Sequence, residues 1–344
     1  MLNPDAHLAL NIFSAGGGSA FGGDNPDKAA TREGFGKGVV EAGKIDERVV
    51  VLTADLIEST NVGAFQKEFP DRFIEMGVAE QNLATVASGM AAYGKIPFFT
   101  SFATFNPGRN WEQIRTTIAI NNVHAICCGM HAGLLTGQDG ATHQALEDIA
   151  MMRALPNMIV ISACDAEEAR KATLAAAKVG KPVYMRFARE KMPTMTTAET
   201  PFEIGKANVL WKAKVESGKS KVAVFATGPV LHNVLLAAKQ LEEEGVATSV
   251  TNVHTIKPLD EETILREAAI ADTVVTVEEH QVHGGLGGAI AELLSQKAPT
   301  PLTIIGVQDR FGQSGEAREL YEEYGLGVSH IVATIKKAMS RGTK

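Results

Sequence analysis

Three groups of residues have the types and spacing to do chemistry together. The first is Glu80 with Phe102 and Phe105. Glu80 precedes residues 83 to 92, an apolar run without a single charge, so a helix there must be buried nearly all round, and the acid with it. A buried carboxyl suits proton exchange with the nitrogen of a heterocycle, and two phenylalanines after a short strand can wall a flat ring. The second group lies on the Gly-rich loop 129 to 144, which carries His131, Asp139 and His143. A pure connector rarely needs two histidines and an acid, so the loop reads as functional. The third group is Arg32, Ser59 and Arg189, residues of phosphate-binding type at the ends of elements. The guanidinium fork matches phosphate oxygens two at a time.

Each group has a plainer reading. Glu80 could be a first-turn acid that complements a helix dipole, worth ~0.3–1 kcal/mol. Phe102 and Phe105 could be core residues. The spacing His131-x7-Asp139-x3-His143 could ligate zinc or iron, although a loop of this kind serves sugar hydroxyls equally well. Further along, Gly284-Gly285-Leu286-Gly287-Gly288-Ala289 approaches a dinucleotide fingerprint. Ile290 stands where the third glycine belongs and a polar loop precedes the run, so close packing of a helix on a sheet accounts for it better.

The elements that must hold these residues alternate in type. Thr31 is a suitable N-cap for a helix to about residue 43, and 49–53 is a continuous apolar, β-branched strand. Strands near 73, 96–99, 123–128, 158–162 and 183–187 alternate with helices at 80–93, 108–121, 144–154 and 165–179. Prolines and threonines between 189 and 202 break the pattern and place a domain boundary there. The same style then resumes, with strands at 221–226, 247–252, 273–277 and 302–306 and helices at 230–244, 260–269, 286–296 and after 328. Such alternation implies an α/β chain of two tandem domains, each a mostly parallel sheet flanked by helices. The expected units are a loosely draped extension over 1–30, a first domain over 31–190, a linker over 191–202 and a second domain over 203–344. In open sheets of this kind ligands bind beyond the carboxyl ends of the strands, where all three groups fall.

Bulk properties narrow the function. The 344 residues are 45% hydrophobic with a net charge of −7, enough for two cores. Both signs are scattered and no basic face or run occurs, which argues against nucleic acid or an anionic membrane as partner. Cys127, Cys128 and Cys164 have no metal-type spacing and read as reduced core residues of a cytoplasmic protein. No apolar run reaches the ~18 residues of a membrane span. The apolar piece 8–13 is short and lacks a basic flank, so it is not expected to be a signal peptide.

Taken as a set, the motifs resemble those of the transketolase family. The likeness rests on Gly77-Val78-Ala79-Glu80-Gln81-Asn82, Ser101-Phe102-Ala103-Thr104-Phe105 and Gly137-Gln138-Asp139-Gly140-Ala141-Thr142-His143-Gln144. Thr31-Arg32, Thr53-Ala54-Asp55-Leu56, Thr255-Ile256-Lys257-Pro258-Leu259-Asp260 and Glu278-Glu279-His280 also fit, so that it spans about residues 31 to 340. It is closest to the split form, in which a short chain supplies only the pyrimidine-binding and C-terminal domains. The resemblance implies a thiamine diphosphate enzyme in which Glu80 bonds the aminopyrimidine and selects the tautomer that generates the carbanion. It implies that Phe102 and Phe105 stack on the pyrimidine, with Asp55 also at the cofactor. It places His143 at the donor's reacting oxygens, Asp139 at the acceptor's hydroxyl, and Arg32, Ser59, His131 and Arg189 around the substrate phosphate. The reaction implied is transfer of a two-carbon ketol unit from a ketose phosphate to an aldose phosphate.

One departure matters. The family's diphosphate domain carries Gly-Asp-Gly and a later Asn for magnesium and the diphosphate, and no Gly-Asp-Gly occurs in this sequence. Gly23-Asp24-Asn25 lacks the strand context that the motif needs. The resemblance therefore implies an N-terminal, diphosphate-binding partner subunit that holds Mg2+ or Ca2+, no metal ligands on this chain, and an α2β2 heterotetramer. Alternatives are a deoxyxylulose-phosphate synthase, the beta subunit of a 2-oxoacid dehydrogenase, or a non-catalytic regulatory subunit.

Overall fold

All five residues of the strand Val49–Thr53 are buried. Val49 and Val51 pack with Phe35, Phe98 and Ile126, while Val50 and Leu52 pack with Leu83, Ala87 and Phe99. Successive side chains of a strand point to opposite faces, so an unbroken apolar run requires a sheet covered on both sides. The computed structural model describes residues 1–9, 11–13, 28–213 and 221–340, and they contain two sheets of this kind.

The first sheet has seven strands in the order Thr255–Lys257, Ile159–Ser162, Val183–Arg186, Ile126–Met130, Ile96–Phe102, Val49–Thr53 and Phe73–Glu75. Every pairing is parallel except that of Thr255–Lys257, which runs antiparallel to its neighbour. The second has five, in the order Leu302–Val307, Thr273–Gln281, Lys221–Thr227, Ala247–Asn252 and Asn208–Trp211, and only the last is antiparallel. The chain is α/β, with two mainly parallel sheets flanked by helices. Because the strands Val49–Thr53, Ile96–Phe102, Ile126–Met130 and Val183–Arg186 are parallel, their carboxyl ends share one edge. That edge carries Asp55, Phe102, His131 and Arg189.

The two halves are joined by more than a linker. The strand Thr255–Lys257 belongs to the second half of the sequence but adds to the first sheet, with Thr255 opposite Ile161. One apolar core also runs through both, bringing Ile149, Met152 and Val160 together with Phe225, Val253, Val274 and Leu286. The helix Thr31–Ile45 lies unusually close to the helix Ala166–Ala176. A Cβ at Gly34 would stand 1.9 Å from the Ala166 carbonyl oxygen, so only glycine permits the approach.

Three expectations need correction. Ala30, not Thr31, is the N-cap of the first helix. The Thr31 hydroxyl instead accepts a hydrogen bond from Ala188 N at 2.7 Å, tying the helix that carries Arg32 to the segment that carries Arg189. The helix Glu80–Ala92 is not buried all round: Gln81, Asn82, Thr85, Gly89 and Ala92 are exposed. Small, uncharged residues can face water as readily as a core, and lack of charge alone did not distinguish the two. Finally, residues 1–9 and 11–13 are not draped loosely. Ala6 and Ile12 are buried in the core of the second domain, and Asn3 bonds Leu210 O and Val209 O at 2.8 and 2.6 Å. Lys28–Ala29 pairs with Met192–Pro193. Gly16 to Gly18, Gly22 and Gly23-Asp24-Asn25 lie outside the described residues. No helix among the described residues is long and apolar enough to cross a membrane.

Candidate active site

The strand Ile96–Phe102 ends in a turn that places two half-buried rings, Phe102 and Phe105, at the sheet edge. Across from them the helix Glu80–Ala92 begins, and its first residue is 2% exposed. Glu80 Oε1 accepts from the Ser101 hydroxyl at 3.2 Å, and Oε2 accepts from Arg109 Nη1 at 2.8 Å. The start of this helix is fixed by Asn110, whose amide donates to Glu80 O at 2.9 Å and to Asn106 Oδ1 at 2.9 Å. A buried carboxylate held from behind, with two aromatic rings beside it, is suited to a flat heterocycle that carries a hydrogen-bonding nitrogen.

Arg109 was not among the sequence candidates. Its guanidinium stands 4.7 Å from the centre of the Phe105 ring while it pairs with Glu80. The available signal was the spacing of four residues from Phe105, which can set a cation over a ring on one turn of chain.

The loop brings its two histidines to the phenylalanines. The His131 ring lies 4.3 Å from that of Phe102, and His143 lies 5.8 Å from Phe102 and 5.5 Å from Phe105. His131 has a left-handed backbone, φ +53°, and its buried Nδ1 has no hydrogen-bond partner. A positive φ and an unsatisfied buried nitrogen at the same residue are the features on which a ligand-binding reading of His131 would rest. Asp139 takes a different position, 3.6 Å from Arg189 Nη1. Among the described residues no three His, Cys, Asp or Glu gather as a metal set.

The phosphate-type residues also converge. Arg32 and Arg189 line one cleft of about 280 Å³ together with Thr136, Gln138, Lys191 and Glu316. Ser59 contributes its carbonyl oxygen, which accepts from Arg32 Nη1 at 2.8 Å, and the buried Arg32 Nε has no partner. Arg189 Nη1 donates to Thr136 O at 2.9 Å. Asp55, assigned to the cofactor, is exposed at the end of its strand with φ +60°, and its amide donates to Glu75 Oε1 at 2.7 Å.

Burial, with Arg32, Arg189 and His143 nearby, pushes the His131 ring down from 6.5 to about 3. The ring is therefore neutral at pH 7, and of the phosphate-type residues only the arginines supply positive charge. The lowered value stabilises the fold fully above pH 6.5, and that contribution is lost as the pH falls from 6.5 towards 3. Between pH 7 and pH 5 the wild-type chain should lose about 2 kcal/mol more than His131→Asn, a residue that cannot titrate and tolerates positive φ. Urea unfolding of both proteins at the two pH values tests this. Equal losses would rule out a buried neutral His131.

Comparison with known proteins gives the family. The transketolase pyrimidine-binding domain model matches residues 27–195, and the transketolase C-terminal domain model matches residues 211–331. A putative transketolase C-terminal section from Methanocaldococcus jannaschii is 41% identical over 313 residues, 90% of this chain and 96% of that one. This chain belongs to the transketolase family. A 6-deoxy-6-sulfo-D-fructose transketolase subunit from a Clostridium species is 37% identical over 88% of this chain and 92% of its own length. A solved structure described as a split-gene transketolase in an inactive β4 tetramer superposes with a TM-score of 0.81 at 41% identity, covering 90% of this chain and 98% of that chain. This chain thus has the extent of a transketolase C-terminal section, with the pyrimidine-binding and C-terminal domains.

Proposed function

We propose that this chain is the C-terminal subunit of a split transketolase. With an N-terminal, diphosphate-binding partner it transfers a two-carbon ketol unit from a ketose phosphate to an aldose phosphate, in an α2β2 assembly in the cytoplasm. The observation that carries the reading is the half-built pocket at Glu80. A buried carboxylate, two half-buried aromatic rings and the orphaned His131 Nδ1 gather at the carboxyl ends of the strands, yet the sequence has no Gly-Asp-Gly to hold a diphosphate. The residues present fit the aminopyrimidine half of thiamine diphosphate.

When bound, that cofactor supplies a ring carbon able to take up and hand on the two-carbon unit. This chain would supply the pyrimidine and substrate contacts. Glu80 would accept a hydrogen bond from the proton-bearing ring nitrogen and so fix its tautomer, while Phe102 and Phe105 would hold the ring by stacking. Asp55 lies at the same end of the sheet. His143 would hydrogen-bond the donor's reacting oxygens, neutral His131 would stand with the arginines at the substrate phosphate, and Asp139 would take the acceptor's hydroxyl. Arg32 and Arg189, with the Ser59 segment behind them, neutralise a terminal anion in the 280 Å³ cleft. The partner subunit holds the Mg2+ or Ca2+ and the diphosphate.

A second feature supports the partner. Beside Glu80 the helix Glu80–Ala92 presents Gln81, Asn82, Thr85, Gly89 and Ala92 to solvent, flanked by Val78 at 71% and Tyr93 at 94% exposure. A large uncharged face next to an incomplete site suits a subunit contact.

The anion cleft gives the test. Arg189→Ala should raise the Michaelis constant for phosphorylated sugars by ~10-fold or more, the scale of one charged hydrogen bond, and leave unphosphorylated sugars nearly unchanged. Equal losses on both would remove Arg189 from phosphate recognition.

A further inference from the structure

The second domain contributes to the site without touching the ligand space, and Glu279 is the reason. We propose that Glu279 is a positioning residue: its carboxylate reaches across the domain boundary and holds the turn at residues 133–135, and so sets the loop that carries His131, Asp139 and His143. This rests on the reading of that loop as substrate-facing.

Glu279 lies on the strand Thr273–Gln281 of the second sheet and is 2% exposed. Its Oε1 accepts from Leu135 N at 2.7 Å, and its Oε2 accepts from the Tyr321 hydroxyl at 3.0 Å. The chain at Gly133 passes so close that a Cβ there would sit 2.4 Å from Glu279 Oε1, and φ there is +79°. Only glycine fits both conditions. The other end of the loop is tied to the same domain. Gln144 Nε2 donates to Gln313 O at 3.0 Å and Gln138 Nε2 donates to Glu316 Oε1 at 2.7 Å. Arg186 links the two domains beneath, donating from Nη2 to Glu279 O at 2.8 Å and Ala145 O at 3.3 Å, and from Nε to Asp148 Oδ2 at 2.9 Å.

The neighbouring acid shows what is unusual here. Glu278 points to the opposite face of the strand and accepts from Leu286 N and Gly287 N, holding a helix of its own domain. Glu279 spends an equally buried carboxylate on the backbone of another domain's loop. Burial is costly for a carboxylate unless donors meet it, and burial pushes Glu279 up to about 7. An apolar residue could fill the volume but would leave the Leu135 amide without an acceptor.

Two substitutions separate positioning from filling. Glu279→Gln keeps an acceptor for Leu135 N and a group that can bond the Tyr321 hydroxyl, whereas Glu279→Met keeps the volume and lacks both. In hydrogen–deuterium exchange on the purified full chain, Glu279→Met should speed exchange at Leu135 by ~10–100-fold, and Glu279→Gln should stay within a few-fold of wild type. In the assembled enzyme, kcat per folded subunit should fall in the Met variant and recover in the Gln variant. Unchanged exchange in the Met variant, or equal release in both, overturns the proposal. Should Glu279→Met not fold, Tyr321→Phe removes one donor to the carboxylate. Faster exchange confined to residues 131–145 then supports the clamp, and exchange that is unchanged there or raised uniformly through the second domain overturns it. The exchange measurement needs neither cofactor nor partner. A wild-type chain that gives no ketol transfer even after the diphosphate-binding subunit is added would therefore refute the functional reading and leave the clamp standing.

Discussion

Turnover of the assembled enzyme should fall by ~10²–10⁴ when Glu80 is replaced by Ala, the usual scale for a positioned acid or base. The expectation rests on where the carboxylate sits. It is 2% exposed, and Ser101 and Arg109 hold its two oxygens beside Phe102 and Phe105. The competing account makes Glu80 a first-turn acid that serves the helix dipole, worth ~0.3–1 kcal/mol of stability. On that account the Ala variant would be slightly less stable and turn over at nearly the wild-type rate. Arg109 would lose its carboxylate, but its side chain is 49% exposed and water can solvate it, so the fold should survive. Steady-state rates beside urea midpoints for the two proteins decide between the accounts.

The second large effect concerns the partner. On the proposed reading Glu80, Phe102 and Phe105 wall the pyrimidine half of thiamine diphosphate, and the sequence offers no Gly-Asp-Gly for the other half. On that reading a second polypeptide supplies the motif, and without it chemistry that depends on the whole cofactor should be absent rather than slow. The uncharged exposed face belongs to the helix Glu80–Ala92, which begins at the buried Glu80. A subunit docked there would bury that face and complete the site together.

Much of this architecture was legible in the sequence because its signals are local. An apolar β-branched run such as Val49–Thr53 has few ways to be buried other than as a central parallel strand. The loop 129 to 144 likewise announced itself by chemistry, and the structure does bring His131 and His143 to Phe102. What escaped was non-local. The strand Thr255–Lys257 has three residues and acquires its identity from Ile161, about a hundred positions earlier. Arg109 sits in a short Pro-Gly-Arg-Asn stretch that reads as a turn, and its importance comes from Glu80 and Phe105 meeting it in space. Residues 1–9 and 11–13 show no periodicity because they pack as a single short turn, Pro4–Ala6, and through isolated contacts such as Ile12 in the second core. The exposed side of the helix Glu80–Ala92 misled for the converse reason. An uncharged surface reads the same whether it faces a core or a partner.

The most direct measurement of the central claim is a ketol-transfer assay on the purified chain with thiamine diphosphate, magnesium, a ketose phosphate and an aldose phosphate. The split-site account predicts no transfer from this chain alone, and transfer on adding a subunit that carries Gly-Asp-Gly with its downstream Asn. Full activity of the chain by itself, or none after the partner is added, would contradict it.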